Sequence, residues 1–238
     1  MNLLTIHPIN EDLRFLKKFV RKLKEYDNQL VVTKKLSNNT LSHNRAIDRI
    51  KGLKENDIVC FLSHGATRAI HGSEYRARYS SHPKQFSYMD EVGYFIDKEN
   101  VDILKDKKIF CLSCNSDTLG KLAIESGVKV FIGFSTIDFD LRDDLVGNQN
   151  PRASVISKTK YSLRNAVYQS IICSIENNLT FNQLSSLLKI NLNKEMDKLI
   201  INNKGKPGFK YYKTAADCLL TIKEGITIFG NGKAKFFE

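Results

Sequence analysis

Apolar residues in this chain follow two patterns that alternate along it. Compact runs of Val, Ile, Leu, Phe and Cys have the length of strands buried on both faces, as in a parallel sheet. They occupy residues 1–8, 29–34, 57–63 (Asp-Ile-Val-Cys-Phe-Leu-Ser), 108–113 (Lys-Ile-Phe-Cys-Leu-Ser) and 128–135. Between them, apolar residues recur at helical spacing. Leu13, Leu16, Phe19, Val20 and Leu23 form one face of a helix, with Asn10 as cap and Glu11 and Asp12 in its first turn. Further helices are predicted over 41–53, 99–104 and 118–126, the last capped by Ser116 or Asp117 and stopped by Gly127. Strand and helix in alternation predict an α/β fold with a doubly wound, mainly parallel sheet flanked by helices.

The pattern changes near residue 160. Residues 161–177 and 181–202 read as two helices, and Gly205-Lys206-Pro207-Gly208 breaks the second. A helix over 214–223 precedes two apolar runs, 226–229 and 233–237, joined by Gly230-Asn231-Gly232, a β-hairpin signal. The chain therefore divides into an α/β core, 1–160, and a helical and hairpin extension, 161–238, packed on it. Residues 66–89 and 138–160 are polar and read as loops, the second as a mobile one.

With 238 residues the chain can bury a substantial core without disulfides. Its five cysteines are an odd number, two of them inside predicted core strands, which points to a reducing cytoplasm. The N-terminal residues are too short and uncharged for a signal peptide, and no apolar stretch approaches the roughly 20 residues of a membrane span. The net charge of +11 raises nucleic acid as a partner. The basic residues are scattered, with Asp and Glu among them and no nucleic-acid-binding motif, so a solvated surface is expected instead.

Two of the buried runs stop at a reactive residue. Residues 57–63 lead into His64-Gly65, and 108–113 into Cys114-Asn115-Ser116. Sites in open α/β sheets form beyond the carboxyl ends of strands. If the two strands are neighbours, an imidazole meets a thiol there. Cys114 precedes a helix whose exposed N–H groups favour the thiolate, and His64 can take the proton. Gly65 has no side chain, so its N–H can join that of Cys114 in an oxyanion hole. Other readings stand beside this one. Cys111-x-x-Cys114 has the spacing of a redox pair or half a zinc site, although residues three apart on a strand face opposite ways. Cys60 and Cys111 read as buried small hydrophobes. His71-Gly72 is a second candidate base, but no apolar run precedes it and it reads as a loop histidine. Asp138 and Asp140 either line a pocket for a basic side chain or solvate a loop.

Phe61-Leu62-Ser63-His64-Gly65 and Phe110-Cys111-Leu112-Ser113-Cys114-Asn115-Ser116 resemble the two motifs of caspase-like (clan CD) cysteine peptidases, which include metacaspases, separase and bacterial CHAT proteases. Residues 122–140 resemble the CHAT succession of helix, glycine, buried strand and acidic loop. The chain departs from the pattern in having no Trp and in carrying Leu112 two residues before the cysteine. The resemblance implies a caspase-like catalytic core needing no metal or cofactor, with His64 and Cys114 as catalytic dyad and a protein substrate. It also implies a bacterial defence or signalling effector, gated by an activating partner or small-molecule signal through the helices of 161–202. Asp138 and Asp140 would then favour cleavage after Arg or Lys, with self-cleavage inside 138–160. A catalytically silent caspase-like binding module and a basic nucleic-acid-binding protein are the alternatives.

Overall fold

Burial on both faces fixes the centre of the molecule. The computed structural model describes residues 2–8, 13–37, 39–73, 94–137 and 151–237. In chain order the elements are β1 (Leu3–Pro8), α1 (Arg14–Tyr26), β2 (Val31–Leu36), α2 (Thr40–Lys51), β3 (Ile58–Leu62), β4 (Gly65–Ala66), β5 (Ala69–His71) and β6 (Tyr94–Ile96). A 3-10 turn (Val101–Leu104), β7 (Lys108–Leu112), α3 (Ser116–Glu125), β8 (Val130–Phe134), α4 (Pro151–Glu176), α5 (Phe181–Ile201), α6 (Phe209–Glu224) and β9 (Ile226–Gly230) follow. Every residue of β1, β3, β7 and β8 is buried. These strands form the middle of a six-stranded sheet of order β2-β1-β3-β7-β8-β9, in which all neighbours are parallel except β8 and β9.

Alternate residues of each strand feed two cores. Cys60, Leu62, Phe110, Leu112, Ile132 and Phe134 face α1, α4, α5 and α6. Val59, Phe61, Ile109, Cys111 and Phe131 face α2, α3 and the 3-10 turn. Helices therefore cover both faces, and the chain is an α/β protein with a mostly parallel central sheet. Strand addition reverses direction between β1 and β3, the kind of switch point at which α/β sheets open a crevice. A small antiparallel sheet, β4-β5-β6, leads on directly from the end of β3.

The structure corrects several expectations. α1 begins at Arg14 with Leu13 as its cap residue, while Asn10, Glu11 and Asp12 lie outside the described residues. β2 starts later than residue 29, because Asp27 Oδ1 accepts the N–H groups of Gln29 and Leu30 at 2.9 and 2.8 Å and holds them in a turn. Asn115, not Ser116 or Asp117, takes the N-cap position of α3, with no side-chain cap hydrogen bond, and the Ser116 hydroxyl is spent on the carbonyls of Cys111 and Ser113. Residues 151–160, expected in a loop, are the first turns of α4, opened by Pro151, whose missing N–H costs nothing there. The expected division at 160/161 thus falls inside a helix.

The C-terminal hairpin does not form. Gly230 takes the left-handed conformation (φ 78°), but β9 pairs with β8 rather than with the segment that follows. That segment lies against the α4–α5 turn. Phe181 N–H donates to the Ala234 carbonyl at 3.0 Å, Phe236 N–H to the Leu179 carbonyl at 2.7 Å, and the Phe236 ring stacks on Phe181. Lys108, fully buried at the amino end of β7, donates from Nζ to the carbonyls of Lys235 and Phe236 at 2.6 and 3.4 Å.

Candidate functional site at the ends of β3 and β7

β3 and β7 are hydrogen-bonded neighbours, in register from Ile58 opposite Lys108 to Leu62 opposite Leu112. Ser63 N–H still donates to the Leu112 carbonyl, at 3.4 Å, one residue past the strand. Carried two residues beyond the last pair, the same register sets His64 opposite Cys114. Alternation carries too. Cys60 and Leu62, then Phe110 and Leu112, face one core, and Cys114 packs against that same core. His64 and Cys114 therefore lie beyond the carboxyl ends of two adjacent strands, two residues past their last pair. Both residues are half-buried.

A sharp turn presents the thiol. Asn115 is left-handed (φ 53°) and its N–H donates to the Ser135 carbonyl at 2.7 Å, pulling the end of β7 toward the end of β8. Ser116 Oγ is shared among the carbonyls of Ser113 (2.7 Å) and Cys111 (3.0 Å) and the N–H of Phe134 (2.9 Å). This buried hydroxyl ties two strand ends to the start of α3. Gly133 lets the two approach so closely that a Cβ there would stand 2.9 Å from the backbone of Ser116 and Asp117. Cys114 thus sits two residues before the first turn of α3, where helix N–H groups carry partial positive charge. Its Sγ donates to the carbonyl of Ile137 at 3.4 Å.

Gly65 is wedged against this turn. A Cβ on it would overlap the carbonyl oxygen of Cys114 and the hydroxyl of Ser113. His71 N–H donates to the His64 carbonyl at 3.0 Å, so the next pair of the ladder, Gly65 with Ile70, is of the non-hydrogen-bonded kind. The Gly65 N–H consequently points away from β5. That is the orientation an oxyanion donor requires.

His71 is not a loop residue. It ends β5, is buried, and lies directly across the ladder from His64. Two features hold it: Ser63 Oγ donates to its carbonyl at 2.6 Å, and its ring stands 5.1 Å from that of Tyr94. Burial pushes its imidazole down to about 4, and the nearby His64 acts in the same direction. His71 is therefore neutral at physiological pH. The sequence reads it as a loop histidine because β4 and β5, of two and three residues, are too short to show a period.

Cys111 faces the other core from Cys114, as strand alternation requires, so the pair does not converge on a metal or a disulfide. Burial pushes the Cys111 and Cys60 thiols far up, which leaves both un-ionised. Among the described residues no cluster of three or more His, Cys, Asp or Glu is arranged to hold a metal ion, and no helix is long and apolar enough to cross a membrane. Asp138 and Asp140 lie outside the described residues. Compared with known proteins, the chain matches no family model, no curated protein and no solved structure.

Proposed function

We propose that this protein is a cysteine endopeptidase of caspase-like type, with Cys114 as nucleophile and His64 as general base. The observation that supports the reading is the register of β3 and β7, whose last pair, Leu62 opposite Leu112, lies two residues before His64 and Cys114. The thiol gives its proton to His64 and attacks the peptide carbonyl. The oxyanion accepts the N–H groups of Gly65 and Cys114, and the amine departs with the proton from His64. Water, deprotonated by the same imidazole, then cleaves the thioester and restores the thiol. General-base assistance of this kind contributes ~10²–10⁴ in rate, and one oxyanion donor a further ~10²–10³.

The half-buried site suits a chain segment entering along the sheet edge better than a small ligand held in a closed cavity. The motif resemblance supports a bacterial defence or signalling effector, gated by a partner or small-molecule signal that acts through α4 and α5. A peptidyl probe with a cysteine-reactive warhead tests the chemistry. Labelling should map to Cys114, vanish in Cys114→Ala and fall by at least about 100-fold in His64→Ala, while Cys111→Ala still labels. A probe that labels Cys114→Ala as fast as wild type refutes the assignment. A wild-type protein that labels yet cleaves no peptide library member with any candidate activator points to the silent binding module.

A further inference from the structure

The basic residues that look scattered along the chain are gathered by the fold. α1 carries Arg14, Lys17, Lys18, Arg21, Lys22 and Lys24, all exposed, against Glu25 alone. α4 carries four basic residues against Glu176 alone, at its last position. Together these two helices hold ten basic and two acidic residues, a net +8 of the chain's +11. They lie side by side and run the same way. Lys160 Nζ stands 5.4 Å from the Phe15 ring centroid, Lys22 Nζ 5.2 Å from that of Tyr168, and Tyr26 donates its hydroxyl to Glu176 at 3.3 Å. Both acids therefore sit at one end, where Glu25 is held by Arg21 at 3.4 Å. From Arg14 to Lys24 the face is cationic for about 15 Å. Lys158, over the Tyr212 ring at 4.6 Å, extends it toward α6.

A face that merely solvates a helix mixes both signs at spacings of three and four. Here Arg14 and Lys18, Lys17 and Arg21, and Lys18 and Lys22 are like charges four apart, each pair mildly unfavourable to the helix. A polyanion relieves that repulsion. We infer that the outer face of α1 and α4 binds the phosphate backbone of nucleic acid. A rod-like, evenly charged ligand matches a straight cationic face flanked by rings on which a base or sugar can rest. An anionic membrane fits less well, because the apolar stripe of α1 (Leu16, Phe19, Val20, Leu23) is buried in the core and leaves nothing to insert. The inference is independent of the peptidase reading.

Fluorescence anisotropy of the full Cys114→Ala chain with a labelled duplex DNA and a labelled single-stranded RNA tests it. Binding should be micromolar at about 0.1 M salt and weaken steeply as salt rises. Lys17→Glu/Lys18→Glu/Arg21→Glu should weaken it by at least about tenfold. The milder Lys17→Gln/Lys18→Gln/Arg21→Gln protein should weaken it by less. Arg49→Glu/Lys51→Glu/Lys54→Glu makes the same charge change on the opposite face of the sheet and should weaken it by no more than about twofold. No binding at 0.1 M salt overturns the inference. So does equal weakening by both Glu triples, or binding to phosphatidylserine vesicles in preference to either nucleic acid.

Discussion

At Gly65 a single methyl group decides whether the site can assemble. The atom that a Cβ would strike first belongs to the backbone of Cys114, in the turn that aims the thiol, and backbone cannot rotate aside as a flexible side chain can. Overpacking of this kind costs about 1–3 kcal/mol. Gly65→Ala is therefore expected to lower stability by that order in urea titration, and to slow probe labelling of Cys114 more than the same loss of stability at a remote core position does. Labelling at the wild-type rate would reduce Gly65 to a bystander. His64, Gly65 and Cys114 stood out in the sequence because they follow two fully buried strands, β3 and β7, where the apolar run stops abruptly. Ser116 was misread for an equally physical reason. A serine before a helix looks like a cap, but this hydroxyl is drawn to the strand carbonyls that surround it.

Elements with a strong period of their own were readable, whereas elements defined by their partners were not. β3, β7 and β8 announce themselves by unbroken apolar runs, and α5 was expected over 181–202; the structure adds the capping box of Thr180 and Gln183 that opens it. The first turns of α4 carry Ser, Lys and Thr and follow a Gly- and Asn-rich stretch, so polarity masked a helix that is settled by contact with α1. Gly230-Asn231-Gly232 offered a turn, yet β9 gains more from the open edge of buried β8 than from a short segment that would leave both strands exposed. Lys108 helps to decide where that last segment goes. Lys108→Met keeps the apolar stem but removes the charged donor to the carbonyls of Lys235 and buried Phe236, at a cost of about 1–3 kcal/mol. The expected result is a lower urea midpoint together with faster amide exchange at Phe236. Unchanged exchange would mean that the bonds to the α4–α5 turn anchor the segment without Lys108.

At the scale of the whole molecule, the two buried histidines among the described residues, His7 and His71, contribute to the response to acid. His71 binds its proton near pH 4 in the folded state but near 6.5 when unfolded, and burial lowers His7 in the same direction. Between those values the unfolded chain holds more protons, so stability is complete above about pH 6.5 and is lost as pH falls toward 4. With partial solvent contact allowed for, His71 contributes roughly 1–3 kcal/mol over that window. Urea titrations at pH 7 and pH 5 should differ less in His71→Gln than in wild type, and an unaltered difference would remove His71 from the account. The antiparallel strand at the far edge of the sheet adds a constraint in time. β9 begins 92 residues after β8 ends. At synthesis rates of about 5–20 residues per second, the ribosome has made His64 and Cys114 roughly 5–20 s before it makes the strand that closes the sheet behind them. Nascent chains stalled ahead of Ile226 should accordingly leave Cys114 unlabelled by the peptidyl probe, while released chains react. On the proposed function, a half-made copy would thereby be kept inert while it is still tethered to the machinery that makes it.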